Sequence, residues 1–147
     1  MSEAQSIQQR TPIEPSEAHV LVVEDNVPNF VLIARMLAFM GVQRCEWKTS
    51  GWQVVQFADT LPRVDLILMD IQMPLKDGYA ATREIRALPG EKHRRLPIIA
   101  LSAATTEDVQ VEAVRCGMDG FLTKPINPTE LKGKIHRYLQ AVDSLTA

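Results

Sequence analysis

A doubly wound α/β fold with a five-stranded parallel sheet is predicted by three observations. Strand-like and helix-like segments alternate five times between His19 and Val142. The strand segments are short and almost unbroken in hydrophobicity, as burial on both faces of a sheet requires. The helix segments are longer, with apolar residues at helical spacing and recognisable start and stop residues. Strict alternation implies parallel strands joined by right-handed crossovers, with helices on both faces.

Each element has its own signal. "HVLVVED" (19–25) is β-branched and short, hence a strand. "PNFVLIARMLAFMG" (28–41) has helical length, starts at a proline and stops at Gly41. "RCEWKT" (44–49) is a weaker strand. "GWQVVQFADTL" (51–61) is a helix ended before Pro62. "VDLILMD" (64–70) is a strand, and "GYAATREIRAL" (78–88) a helix closed by Pro89-Gly90. "LPIIALS" (96–102) is a strand. "TTEDVQVEAVRCG" (105–117) opens on cap residues and ends at a glycine. "DGFLTK" (119–124) is a short strand. "NPTELKGKIHRYLQAV" (127–142) is a helix capped by Asn127 with Pro128 at its first position. Five such units suggest the flavodoxin-like strand order 2-1-3-4-5. The switch point then lies between the first and third strands, and ligands bind at the carboxyl ends of the strands.

The 147 residues suffice for one domain with a sizeable core. With 46% hydrophobic and 23% charged residues and a net charge of -2, nothing argues for a nucleic-acid surface. No apolar run reaches membrane-spanning length, and "MSEAQSIQQRTPIEPSE" lacks the apolar core of a secretory signal. The expectation is a cytoplasmic protein with no membrane contact. Residues 1–17 read as a disordered tail, 18–142 as the domain and 143–147 as a short C-terminal tail. Cys45 and Cys116 form no CxxC pair and read as reduced. His19, His93 and His136 lack metal-ligand spacing.

The strand ends carry the chemistry. The first strand runs into Glu24-Asp25, the third into Asp70, the fourth into Ser102 and the fifth into Lys124. Three carboxylates therefore meet at the switch point, where they repel unless a cation holds them. Mg2+ suits a few carboxylates plus waters. Singly, each residue is an ordinary strand-end group or helix cap; together they equip the site for phosphoryl transfer. Asp70 is the nucleophile, Mg2+ and Lys124 neutralise the phosphoryl oxygens, and the Ser102 hydroxyl donates to one of them.

"VLVVEDN", "LILMDIQMPLKDGYAATREIR", "PIIALSA" and "GFLTKPI" resemble, in order, the receiver domain of two-component response regulators. The resemblance runs from about His19 to Val142. It implies phosphorylation of Asp70 by a phosphohistidine on a sensor histidine kinase or a histidine phosphotransfer protein. It also implies that Glu24, Asp25, Asp70 and the backbone carbonyl of Gln72 hold Mg2+. Ser102 and Phe121 match the family's switch positions, Lys124 its lysine, and the Lys124–Pro125 bond is expected to be cis. The fourth helix, fifth strand and fifth helix are the face expected to change and so to control a downstream partner or relay the phosphoryl group. Glu24 stands where the family often has Asp, Phe121 lacks a tyrosine hydroxyl, and Gln72 and Ala104 occupy positions that tune dephosphorylation. "VEDNVPN", with Asn29, is similar to receivers of hybrid kinases and phosphorelays.

Other functions fit less well. A haloacid-dehalogenase-like Mg2+ phosphohydrolase needs an acid/base Asp where Gln72 stands. A nucleotide binder needs a glycine-rich phosphate loop, which is missing. An unphosphorylated scaffold does not need a complete acidic pocket. The expectation is a phosphoacceptor rather than an enzyme, and since only "DSLTA" follows the last helix, a stand-alone one. In the first helix, Leu32, Ile33, Met36, Leu37 and Met40 are expected to face the sheet. The opposite side carries Phe30, Val31, Ala34 and Ala38 with Phe39, and Arg35 is its one charge. So apolar an outer face predicts a docking surface for the phosphodonor, or a homodimer contact.

Overall fold

The structure is a computed structural model and describes residues 13–60, 64–72, 77–103 and 106–139, without the side chains of 57–60 and 91–92. Five parallel strands, β1 (His19–Val23), β2 (Arg44–Lys48), β3 (Leu66–Asp70), β4 (Ile98–Ser102) and β5 (Gly120–Thr123), lie in the order β2-β1-β3-β4-β5. This is the topology the alternation predicts. Crossover helices α1 (Val27–Phe39), α2 (Gly51–Thr60), α3 (Gly78–Ala87) and α4 (Glu107–Cys116) join them, and α5 (Pro128–Leu139) closes the chain.

β3 and β4 are buried at every position, which explains their unbroken apolar runs. Alternate strand residues feed two cores. Leu21, Val23, Ile67 and Met69 pack with Val54 of α2, Ile85 of α3 and Ala113 of α4. Val20, Val22, Leu66 and Leu68 pack with Ile33 and Leu37 of α1 and Leu131 and Ile135 of α5. β2 is an edge strand, only partly covered, and its sequence signal is correspondingly weak.

Helix ends follow local chemistry. Asn26 Oδ1 accepts from Asn29 N–H at 2.9 Å at the start of α1, and Asp77 Oδ1 from Ala80 N–H at 2.8 Å at the start of α3. Asn127 Oδ1 caps α5 by accepting from the N–H groups of Thr129 and Glu130. Thr106 occupies the cap position of α4 without a side-chain cap bond. Gly117 ends α4 at φ +105°, where a side chain would be strained.

Three features depart from the sequence reading. A five-residue helix, Glu91–Arg95, lies between α3 and β4. The Pro89-Gly90 stop ended α3 as read, but it hid this turn, which buries His93. Part of the stretch read as a disordered tail has a defined place. Ile13 N–H donates to Leu139 O at 2.8 Å, and Pro15–Glu17 form a 3-10 turn. Residues 1–12 and 143–147 lie outside the described residues. The third departure is the rotation of α1. Ile33 and Leu37 are its buried residues, whereas Leu32 is 54% exposed. Leu32 sits one residue, ~100° round the helix, from Ile33. It turns with Arg35, Met36 and Phe39 toward Pro128, Thr129 and Lys132 of α5, lining an open groove of about 480 Å3.

At the end of the sheet away from the acidic residues, Arg86 ties several segments together. Its guanidinium donates to the carbonyls of His93, Leu96 and Gly117 at 2.7–3.0 Å and to Asp119 Oδ2 at 2.9 Å. Asp119 Oδ2 also accepts from Ile98 N–H at 2.9 Å. Burial lowers the Arg86 pKa, and Asp119 opposes the shift.

Candidate functional site

β1 and β3 are neighbours, so their carboxyl ends deliver Glu24, Asp25 and Asp70 to one rim. Glu24 is fully buried, Asp70 is 2% exposed and Asp25 is exposed. Ligand oxygens of all three lie within 4.8 Å of one another. Each buried acid is held by backbone. Asp70 Oδ1 accepts from Gln72 N–H at 2.9 Å. Glu24 Oε1 accepts from Asn26 N–H at 3.3 Å, and Glu24 N–H donates to Lys48 O at 3.0 Å.

Lys124 enters from the end of β5, its N–H donating to Ser102 O at 2.7 Å. The Lys124–Pro125 bond is cis, as expected. Lys124 Nζ lies 2.9 Å from Glu24 Oε2 and 3.1 Å from Asp70 Oδ2. Burial raises the pKa of Glu24, reinforced by Asp70 and opposed by Lys124. Burial acts on Lys124 in the opposite sense, but the two carboxylates outweigh it and its pKa is raised.

Among the described residues, the Lys124 ammonium pairs with the two buried carboxylates of a three-carboxylate group. Glu24 Oε2 is charge-paired with Lys124, yet the contact is not aligned as a hydrogen bond, and among the described residues this buried oxygen has no hydrogen-bond donor. Hard oxygen donors with an excess of negative charge fit a divalent cation such as Mg2+.

Ser102 is 1% exposed and ends β4, opposite Thr123 of β5. Phe121 is half-buried against the core beneath α4. Sheet order therefore brings Glu24, Asp25, Asp70, Ser102 and Lys124 to one rim, with Phe121 set back along β5. Met73–Lys76 and Ala104 lie outside the described residues.

The proposed α1 face divides. Val31 and Ala38 point outward, Ala34 is half-buried, and Phe30 turns inward to stack on Trp47, with ring centroids 4.6 Å apart and planes 7° apart. Phe30 is thus corrected from a surface residue to an internal packing partner, because β2 supplies an aromatic neighbour that α1's own period could not reveal.

Two residues near the site were missed in the sequence. A Cβ on Gly78 would come within 2.5 Å of Asp70 O and 2.8 Å of Ile71 Cα. The Asp77-Gly78 pair was the available signal for so close an approach. Trp47 Nε1–H donates to Glu24 O at 2.7 Å; no local pattern announces that contact.

Comparison with known proteins agrees with this geometry. Residues 20–136 match the response regulator receiver domain model. The chain belongs to the receiver-domain family of two-component signalling. It is 37% identical over 121 residues to Sensor protein GacS of Pseudomonas syringae pv. syringae, covering 82% of this chain but only 13% of that protein. The receiver domain of sensor histidine kinase PA1611 from Pseudomonas aeruginosa PAO1, with a magnesium ion coordinated in the active site cleft, superposes with a TM-score of 0.75. The two are 40% identical, and the match covers 83% of this chain and 97% of that one. The receiver domain of the histidine kinase CKI1 from Arabidopsis thaliana, complexed with Mg2+ and BeF3-, gives a TM-score of 0.72 at 36% identity, covering 82% and 89%. Among the described residues, no helix is long and apolar enough to cross a membrane.

Proposed function

We propose that this receiver accepts a phosphoryl group on Asp70 from a phosphohistidine of a histidine kinase or phosphotransfer protein. One observation carries the reading: three carboxylates lie within 4.8 Å of one another, and the two buried ones are both paired with Lys124. Glu24, Asp25 and Asp70, with the Gln72 carbonyl, would hold Mg2+. When bound, Mg2+ supplies charge neutralisation for the phosphoryl oxygens.

An Asp70 carboxylate oxygen attacks phosphorus as the histidine N–P bond breaks, and the imidazole leaves with the bonding pair. Lys124, already paired to Asp70, exchanges part of that pairing for the incoming phosphoryl oxygens. The Ser102 hydroxyl donates to one of them, and Phe121 repacks into the space released. The new group adds about -1.5 to -2 charges beside Ser102 and Lys124, enough to bias a two-state element worth a few kcal/mol. α4, β5 and α5 then present an altered face to a downstream partner, or the phosphoryl group passes on. A small-molecule phosphohydrolase is less well supported, because Gln72 cannot exchange a proton as its second acid would.

Acetyl phosphate should phosphorylate the wild-type protein only with Mg2+, on Asp70 alone. Full modification in Asp70→Asn, or in excess chelator, would rule this function out. Intact-mass spectrometry reads the result.

A further inference from the structure

We infer that Trp47 is a positioning residue for the cation-binding turn, acting through Glu24; the inference rests on the proposed Mg2+-dependent function. Three of the four polar groups of Glu24 are hydrogen-bonded and the fourth, Oε2, is charge-paired. Its N–H meets Lys48 O, Oε1 meets Asn26 N–H, Oε2 faces Lys124, and its carbonyl accepts from the Trp47 indole at 2.7 Å. The first two contacts come from the backbone, which no side-chain change removes. The indole bond is a side-chain choice made on a different strand, β2.

Trp47 is itself held. Its ring stacks flat on Phe30 in the first turn of α1, at 4.6 Å and 7°. The indole therefore bridges three segments: edge strand β2, the end of β1 and the start of α1. The turn between β1 and α1 carries Glu24 and Asp25, so the clasp spans both sides of the acidic pair. A β2 edge residue that only packed there would not need a donor aimed at a carbonyl. Trp has one donor, and here it fixes the main chain of a buried, charged residue. Partners that orient a ligand in this way typically matter for metal affinity.

The clasp predicts a specific division of effects. Trp47→Phe keeps a ring on Phe30 and loses only the donor. Loosening Glu24 should weaken Mg2+ binding by about three- to tenfold, the range for one hydrogen bond. In acetyl phosphate reactions the half-saturating Mg2+ concentration should rise by the same factor. The maximal rate at saturating Mg2+ should stay at wild-type level, since the contacts of Trp47 fall on the Glu24 carbonyl and the Phe30 ring. A general loss of structure would instead lower the maximal rate.

Calorimetric Mg2+ titration of wild type and Trp47→Phe gives the first readout. A second comes from Trp52→Phe, which leaves Trp47 as the single tryptophan of the two in the chain. Its emission should change with Mg2+ and saturate at the calorimetric concentration. A folded Trp47→Phe protein with wild-type Mg2+ affinity overturns the inference. Should that variant not fold, Trp47 emission that ignores Mg2+ in Trp52→Phe overturns it. A wild-type protein without Mg2+ affinity overturns the proposed function as well, which separates the two failures.

Discussion

The backbone behind Asp70 has little room to move. Gly78 begins α3 directly against the Asp70 carbonyl, where a Cβ would sit at 2.5 Å. The obstructing atoms are backbone, so the strand end or the helix must shift. Gly78→Ala is expected to destabilise the fold by about 1–3 kcal/mol, an overpacking cost, and to slow acetyl phosphate labelling of Asp70 at saturating Mg2+. Chemical denaturation and the labelling rate check both. An alanine variant of wild-type stability and rate would mean that the approach is slack. The placement of Asp70, Glu24, Asp25, Ser102 and Lys124 at one rim was legible in the sequence because each lies at the end of a strand-like run that is easy to see. Gly78 and Trp47 were not, because their roles depend on neighbours supplied by other segments.

At the level of elements, α1 shows why periodicity alone falls short. Its apolar arc covers more than half its circumference, so a period of 3.6 cannot fix the centre of that arc. Packing chose Ile33 and Leu37, displaced Leu32 to the α5 side and drew Phe30 onto Trp47. The outward apolar residues beside the acidic turn are then Val27 and Val31, 54% and 40% exposed. A phosphodonor docked there would lie beside the turn that carries Glu24 and Asp25. Val27→Glu with Val31→Glu should leave acetyl phosphate labelling intact and reduce transfer from a histidine phosphodonor at least tenfold, about 1.4 kcal/mol. Radiolabel transfer kinetics decide it, and unchanged transfer in the folded double variant would remove α1 from the docking surface. β1, β3 and β4 were the plainest strands because double-sided burial writes itself as continuous hydrophobicity, whereas the edge strand β2 gave a weak signal. The Glu91–Arg95 helix was not legible, since its five residues include no apolar one.

Across the whole molecule the two ends of the sheet have different duties. One rim gathers charge at the carboxyl ends of the strands. The other is closed by Arg86, which joins α3, the Glu91–Arg95 turn, the end of α4 and the start of β5. Arg86→Ala leaves the carbonyls of His93, Leu96 and Gly117 without this donor and should cost about 2–4 kcal/mol of stability. Urea denaturation measures it, and a loss below about 1 kcal/mol would show that water replaces the guanidinium without penalty. A mechanical consequence follows for α4. Gly117 is clamped, while the opposite end of the helix begins at Thr106 without a side-chain cap. A helix held in this way is built like a cantilever, rooted at Gly117 and less tightly tied at Thr106, so a push at the Thr106 end would tilt it about its root rather than translate the whole rod.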